Sequence, residues 1–217
     1  MKNEYRTVLK SAVVEYEEKK SRFIASVKPI NTEDEALGFI SALKSKYWDA
    51  THNVYAYYIA DNNSIQRFSD DGEPSGTAGI PVLEVIKRKG VRNIVVVITR
   101  YFGGTLLGAA GLIRAYGKSA AMGIDAAEVI RRQLCKVVNV VIEYTLFGKL
   151  QSFLISKGYI IKDVIYTQDV EIILYIPVEQ VETVMEEIHE VTNTRSVVEA
   201  GENVYITLSE EGKLING

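Results

Sequence analysis

Two glycine-studded segments hold most of the side chains in this chain that could bind or move charge. Arg67-Phe-Ser-Asp-Asp-Gly-Glu-Pro-Ser-Gly-Thr-Ala-Gly79 supplies acids, hydroxyls and one guanidinium, and Tyr101-Phe-Gly-Gly-Thr-Leu-Leu-Gly-Ala-Ala-Gly-Leu-Ile-Arg-Ala-Tyr116 follows directly on Arg100. Glycine loses more backbone entropy on folding than any other residue, so such clustering points to positive φ angles or to main chain approaching something closely. Each segment leads into a predicted helix, whose unpaired N–H groups and dipole favour an anion such as phosphate. Gly76, Thr77, Gly103 and Gly104 are the candidate phosphate-facing positions. Arg67, Arg100, Arg114 and Lys118 are the candidate cations, the last two sharing one helical face at a spacing of four. Together they are expected to line an electropositive groove. Small residues from Gly103 to Gly111 equally suit a helix packed tightly on a sheet, so ligand approach and packing both stand as readings.

Asp70, Asp71 and Glu73 form an acidic cluster beside Ser69 and Ser75, with oxygens of the kind magnesium takes. Asp-Gly and Glu-Pro are also ordinary turn chemistry, and the turn is the preferred reading. His52 starts a strand that brings it near these acids, as a base or an orienting group; a hydrogen-bonded structural role is preferred. These four are accessory candidates only. The run Lys87-Arg88-Lys89 offers phosphate affinity, yet cations just before Gly90 are what a helix C-terminus favours by itself. No Ser/His/Asp order, Walker loop or paired-carboxylate signature is present, so no catalytic residue and no cofactor is expected. The lone Cys135 cannot form an internal disulfide, and with two histidines in the chain a structural zinc site is excluded.

The elements that must position these groups follow from periodicity. Thr7 to Glu17 and Arg22 to Pro29 read as a hairpin around a charged turn. Thr32 and Glu35 form a capping box for a helix striped by Ala36, Phe39, Ile40, Leu43 and Tyr47. Asn53 to Ala60 and Ile65 to Phe68 read as strands joined by an Asp-Asn-Asn turn. A helix from about Ile80 to Lys89, with Pro81 in its first turn, precedes the continuous apolar run Asn93 to Arg100, which suits a strand covered on both faces. The second glycine segment opens a helix reaching about Ala127. Val137 to Thr145, Leu146 to Gly158, Ile160 to Thr167, Val170 to Pro177, Glu179 to about Val191, and Ser196 to Leu208 with a turn at Gly201 then read β-α-β-β-α-β, a ferredoxin-like order. The fold class is α+β, with domains at 1–134 and 137–217 and a boundary near Arg131 to Lys136.

A chain of 217 residues with 47% hydrophobic content buries a substantial core. It contains no apolar run of about 20 residues and no apolar leader, so a cytoplasmic protein without membrane contact is expected. The net charge of -3 hides an asymmetry. Between residues 67 and 118 the cations Arg67, Lys87, Arg88, Lys89, Arg92, Arg100, Arg114 and Lys118 outnumber Asp70, Asp71, Glu73 and Glu84, while acids dominate after Val140. A polyanion would meet the first half.

The motifs Asp71-Gly-Glu-Pro-Ser-Gly-Thr-Ala-Gly79, Arg100-Tyr-Phe-Gly-Gly104, Leu107-Gly108 and Gly111-Leu-Ile-Arg-Ala-Tyr116, with His52 and Ala56, closely resemble the IMPACT family in its bacterial YigZ-type form. The resemblance covers nearly the whole chain. Ala110 stands where the family usually has glycine, and Leu106 where lysine is frequent, which removes a positive charge beside the expected groove. The resemblance implies a first domain like the second domain of the small-subunit ribosomal protein five, shared with domain IV of elongation factor G, and a ferredoxin-like second domain. It also implies a link to translation, since eukaryotic relatives modulate translation under amino-acid starvation through an additional domain absent here.

The leading expectation is a non-enzymatic protein that associates with RNA or the ribosome and modulates translation, without evident DNA specificity. A translation factor or regulatory protein is a further expected partner. The alternatives are a nucleotide-phosphate-binding enzyme of the GHMP-kinase-like fold, whose Gly-Leu-Gly-Ser-Ser pattern is absent, and a protein-interaction module using the acidic C-terminal half.

Overall fold

In the computed structural model, residues 3–60 and 64–215 are described. The expected Asp61-Asn-Asn63 turn lies outside them. Among the described residues the chain divides into one compact unit within residues 5–130 and a second built from residues 3–4 and 131–215.

The first unit is a five-stranded antiparallel sheet of order β2-β3-β6-β4-β5. Its strands are β2 (Ala12–Glu18), β3 (Ser21–Pro29), β4 (His52–Ile59), β5 (Ile65–Ser69) and β6 (Ile94–Tyr101), preceded by β1 (Glu4–Val8). Helix α1 (Glu33–Lys46) forms half of the expected capping box: Thr32 Oγ1 accepts the Glu35 N–H at 3.2 Å, a bond worth about 1 kcal/mol, while the Glu35 carboxylate accepts the Asn31 N–H at 2.8 Å in place of that of Thr32. Ala36, Ile40 and Leu43 bury against Tyr57, Val95 and Val97 on one face of the sheet. Helices α2 (Gly79–Arg88) and α3 (Ala109–Ala126) cover Val96, Ile98, Val54 and Ala56 on the other. Alternate residues of β6 thus bury on opposite faces, which is why this strand reads as an unbroken apolar run. Each such Val or Ile contributes about 1.5–3 kcal/mol.

The long first strand expected from Thr7 to Glu17 is interrupted. The Leu9 N–H donates to the Ala127 and Glu128 carbonyls, bending the chain between β1 and β2. This contact joins residues far apart in sequence, so alternation alone carries no trace of it.

In the second unit the strands are β7 (Val129–Ile142), β8 (Ile160–Tyr166), β9 (Val170–Pro177) and β10 (Ser196–Leu208), with helices α4 (Tyr144–Lys157) and α5 (Val181–Thr192). The order β10-β7-β9-β8, antiparallel throughout, is the ferredoxin-like arrangement. Leu146, Leu150 and Leu154 of α4 and Val184 and Ile188 of α5 pack on Val138, Val140, Ile172 and Leu174. Gly201 makes no turn. It lies in a bulge of one long strand, where an added Cβ would come 3.3 Å from the Val137 carbonyl oxygen. No helix among the described residues is long and apolar enough to cross a membrane.

Candidate functional site

The end of β6 brings charge into the core. Register sets His52 of β4 and Phe23 of β3 opposite Arg100, so all three project to the α2 and α3 face. The Arg100 guanidinium lies 5.4 Å from the Phe23 ring centre and 5.6 Å from that of Phe102. Its Nη1 donates to Glu73 Oε1 at 2.5 Å and its Nη2 to Ser21 Oγ at 3.2 Å. Its Nε is buried without an acceptor. The Tyr116 hydroxyl of α3 donates to the same Glu73 oxygen at 2.8 Å. Burial, then the Glu73 charge, pushes the Tyr116 phenol far above the ordinary tyrosine range, so it stays a donor. Arg100 was expected to line a groove with the other cations. It is instead 5% exposed and paired, because the strand end that carries it lies under α3.

His52 meets the acids through backbone and side chain. Its Nδ1 is 2.8 Å from the Asp71 carbonyl oxygen, which only accepts, so Nδ1 bears hydrogen and the neutral ring carries its lone pair on Nε2. Nε2 lies 3.7 Å from Glu73 Oε1. Asp71 accepts from the Asn53 N–H and from Lys44 Nζ, both at 2.6 Å.

Asp70 occupies the start of α2. Its Oδ2 accepts the Gly76 N–H at 2.9 Å, and its Oδ1 accepts those of Ala78 at 3.1 Å and Gly79 at 2.8 Å. The anion favoured at this helix start is therefore the protein's own carboxylate, and Gly76 and Thr77 do not present free donors to a phosphate. Thr77 is buried and donates to the Pro74 carbonyl. Among the described residues no three His, Cys, Asp or Glu side chains group to hold a metal ion.

The second glycine segment divides by role. A Cβ on Gly103 would lie 2.0 Å from the Lys20 carbonyl carbon, so this glycine permits contact with the β2–β3 hairpin. Gly104 has a φ of +81° with open space around it. Helix α3 starts after Gly108 with no side-chain cap and no acid in its first turn, and among the described residues no outside carboxylate accepts its first N–H groups as Asp70 does at α2.

Arg114 and Lys118 share a face of α3, as their spacing predicts. With Lys19 of the hairpin they line a cavity of about 260 Å³. Lys118 Nζ sits 4.3 Å over the Tyr16 ring, and neither the Lys19 nor the Arg114 side chain makes a hydrogen bond or ion pair among the described residues. Glu18 also lines this cavity, with its carboxylate engaged by the Tyr16 hydroxyl. Arg67 does not join them. It lies on β5, at the opposite sheet edge from β2, and pairs with Tyr57 on the α1 face.

A separate cavity of about 400 Å³ opens beside the buried ion pair, with His52, Glu73 and Arg100 at one end and the start of α3 at another. Phe102, Leu106, Leu107 and Leu112 contribute apolar wall. Tyr116, Ser21 and Lys19 were not among the sequence candidates. Tyr116 carries a usable signal, four residues beyond Leu112 and one beyond Ala115 on the buried stripe of α3. Ser21 and Lys19 carry none, since they reach the site only through hairpin pairing.

The profile of the Impact N-terminal domain matches residues 19–124, and that of a domain of unknown function, DUF1949, matches residues 140–195. A solved structure titled as that of a hypothetical protein aligns with a TM-score of 0.59 and 27% identity, covering 93% of this chain and 99% of its own. An IMPACT family member of Haemophilus influenzae is 33% identical over 202 residues, 88% of this chain and 95% of its own. IMPACT family member YvyE of Bacillus subtilis is 41% identical over 206 residues, 95% of each chain. On the strength of these matches along both units, the chain belongs to the IMPACT family.

Proposed function

We propose that this protein acts in translation by binding RNA, free or within the ribosome, through the cationic edge formed by Lys19, Arg114 and Lys118. The convergence of these three side chains on one cavity carries the reading. Among the described residues one acid, Glu18, lines this cavity against three cations, so net positive charge remains for phosphates, and Tyr16 adds an aromatic face next to Lys118. The sign of this edge also agrees with the basic character of residues 67–118. The translational process comes from the family resemblance, and a translation factor or regulatory protein as co-partner belongs to the same proposal. Arg67, on the other edge, supplies at most a separate contact.

A salt titration tests it. Wild-type protein and a Lys19→Gln/Arg114→Gln/Lys118→Gln variant are titrated with structured RNA and with ribosomes from low to moderate salt. The expected result is affinity that falls as salt rises, with a log–log slope reduced by roughly one for each phosphate contact removed. Binding that ignores salt, or an unchanged slope in the variant, overturns the proposal.

A further inference from the structure

We propose that the cavity between the start of α3 and the Glu73–Arg100 pair binds a small apolar carboxylate. This site is distinct from the cationic edge, since none of Lys19, Arg114 and Lys118 lines it. Its volume of about 400 Å³ falls in the range of small-molecule sites.

Two features select a carboxylate. The first-turn N–H groups of α3 have no side-chain cap, and Gly108 and Ala109 line the cavity. The Arg100 side chain is 6% exposed, lines the cavity, and has an Nε without an acceptor. A buried donor of this kind calls for a partner. His52 lines the same end, its ring held by the Asp71 carbonyl at Nδ1. The Phe102 ring, 46% exposed, lies with its centre 5.6 Å from the guanidinium carbon at the same end of the cavity.

Other charges fit less well. A cation would meet Glu73, the one acid among the described residues that line the cavity, whose charge is already paired with Arg100. A phosphate dianion would bring twice the charge of a carboxylate into a site with one buried guanidinium and a largely apolar wall. Pro74, Phe102, Leu106, Leu107 and Leu112 instead suit an aliphatic or aromatic body attached to the single charge.

The test uses the full chain and three probes of one shape: 3-phenylpropionate, its neutral amide 3-phenylpropanamide, and 3-phenylpropylamine. Calorimetry measures affinity, and amide chemical shifts of Ala109, Ala110 and Gly111 report the place. Saturable binding of the carboxylate is expected, with shifts at these three amides and at least tenfold weaker binding of both other probes. Absence of saturable carboxylate binding, binding without shifts at these three amides, or equal binding of the amide or the amine overturns the proposal.

Discussion

Arg100 and Glu73, 27 residues apart in sequence, meet through a 2.5 Å hydrogen bond between side chains that are only 6% and 3% exposed. A buried ion pair gains little over a well-packed apolar pair, but removing one partner strands the other charge. Glu73→Leu should therefore lower stability by roughly 3–5 kcal/mol in urea unfolding, and Glu73→Leu/Arg100→Met should recover part of that loss. Tyr116→Phe, which removes one donor to the same carboxylate, should cost about 1–3 kcal/mol. A double variant no more stable than Glu73→Leu would contradict the pairing argument.

Asp70 holds three backbone N–H groups at the start of α2. Asp70→Ala should destabilise by about 1–2 kcal/mol, and Asp70→Asn, which keeps an acceptor without the charge, by less. Thermal unfolding of the two variants side by side checks the order.

Gly103 and Gly104 are adjacent yet should respond differently to alanine. At Gly103 the new Cβ strikes the Lys20 carbonyl, and the hairpin must move, at a cost of about 3 kcal/mol. At Gly104 space is open and only the positive φ is strained, about 1–2 kcal/mol. Equal losses in denaturant titrations would show that contact with the hairpin is not what requires Gly103.

Burial pushes the Cys135 thiol up from 9.0 to about 11. In the unfolded chain the thiol ionises first, so the unfolded state binds fewer protons and stability falls as pH rises from about 9 to 11. Below 9 both states keep the proton and this contribution is constant. Urea unfolding at stepped pH should show the decline, and Cys135→Ala should flatten it over that window.

Local interactions made much of this protein legible before folding was considered. The Thr32 cap of α1, the four-residue spacing of Arg114 and Lys118, and the alternation in the ferredoxin-like half each involve near neighbours, and each appears as the sequence implies. Three-dimensional pairing decided the rest. Whether Arg100 faces solvent or Glu73, whether α2 offers its N–H groups or gives them to Asp70, and whether Arg67 lies beside Arg114 depend on sheet order and on loops returning across tens of residues. Sequence by itself determined which side chains carry charge and which stripes must be buried, because those follow from residue chemistry and helical or strand period. Only the tertiary structure decided which charges neutralise one another and which remain available, because that depends on distances that no local pattern encodes.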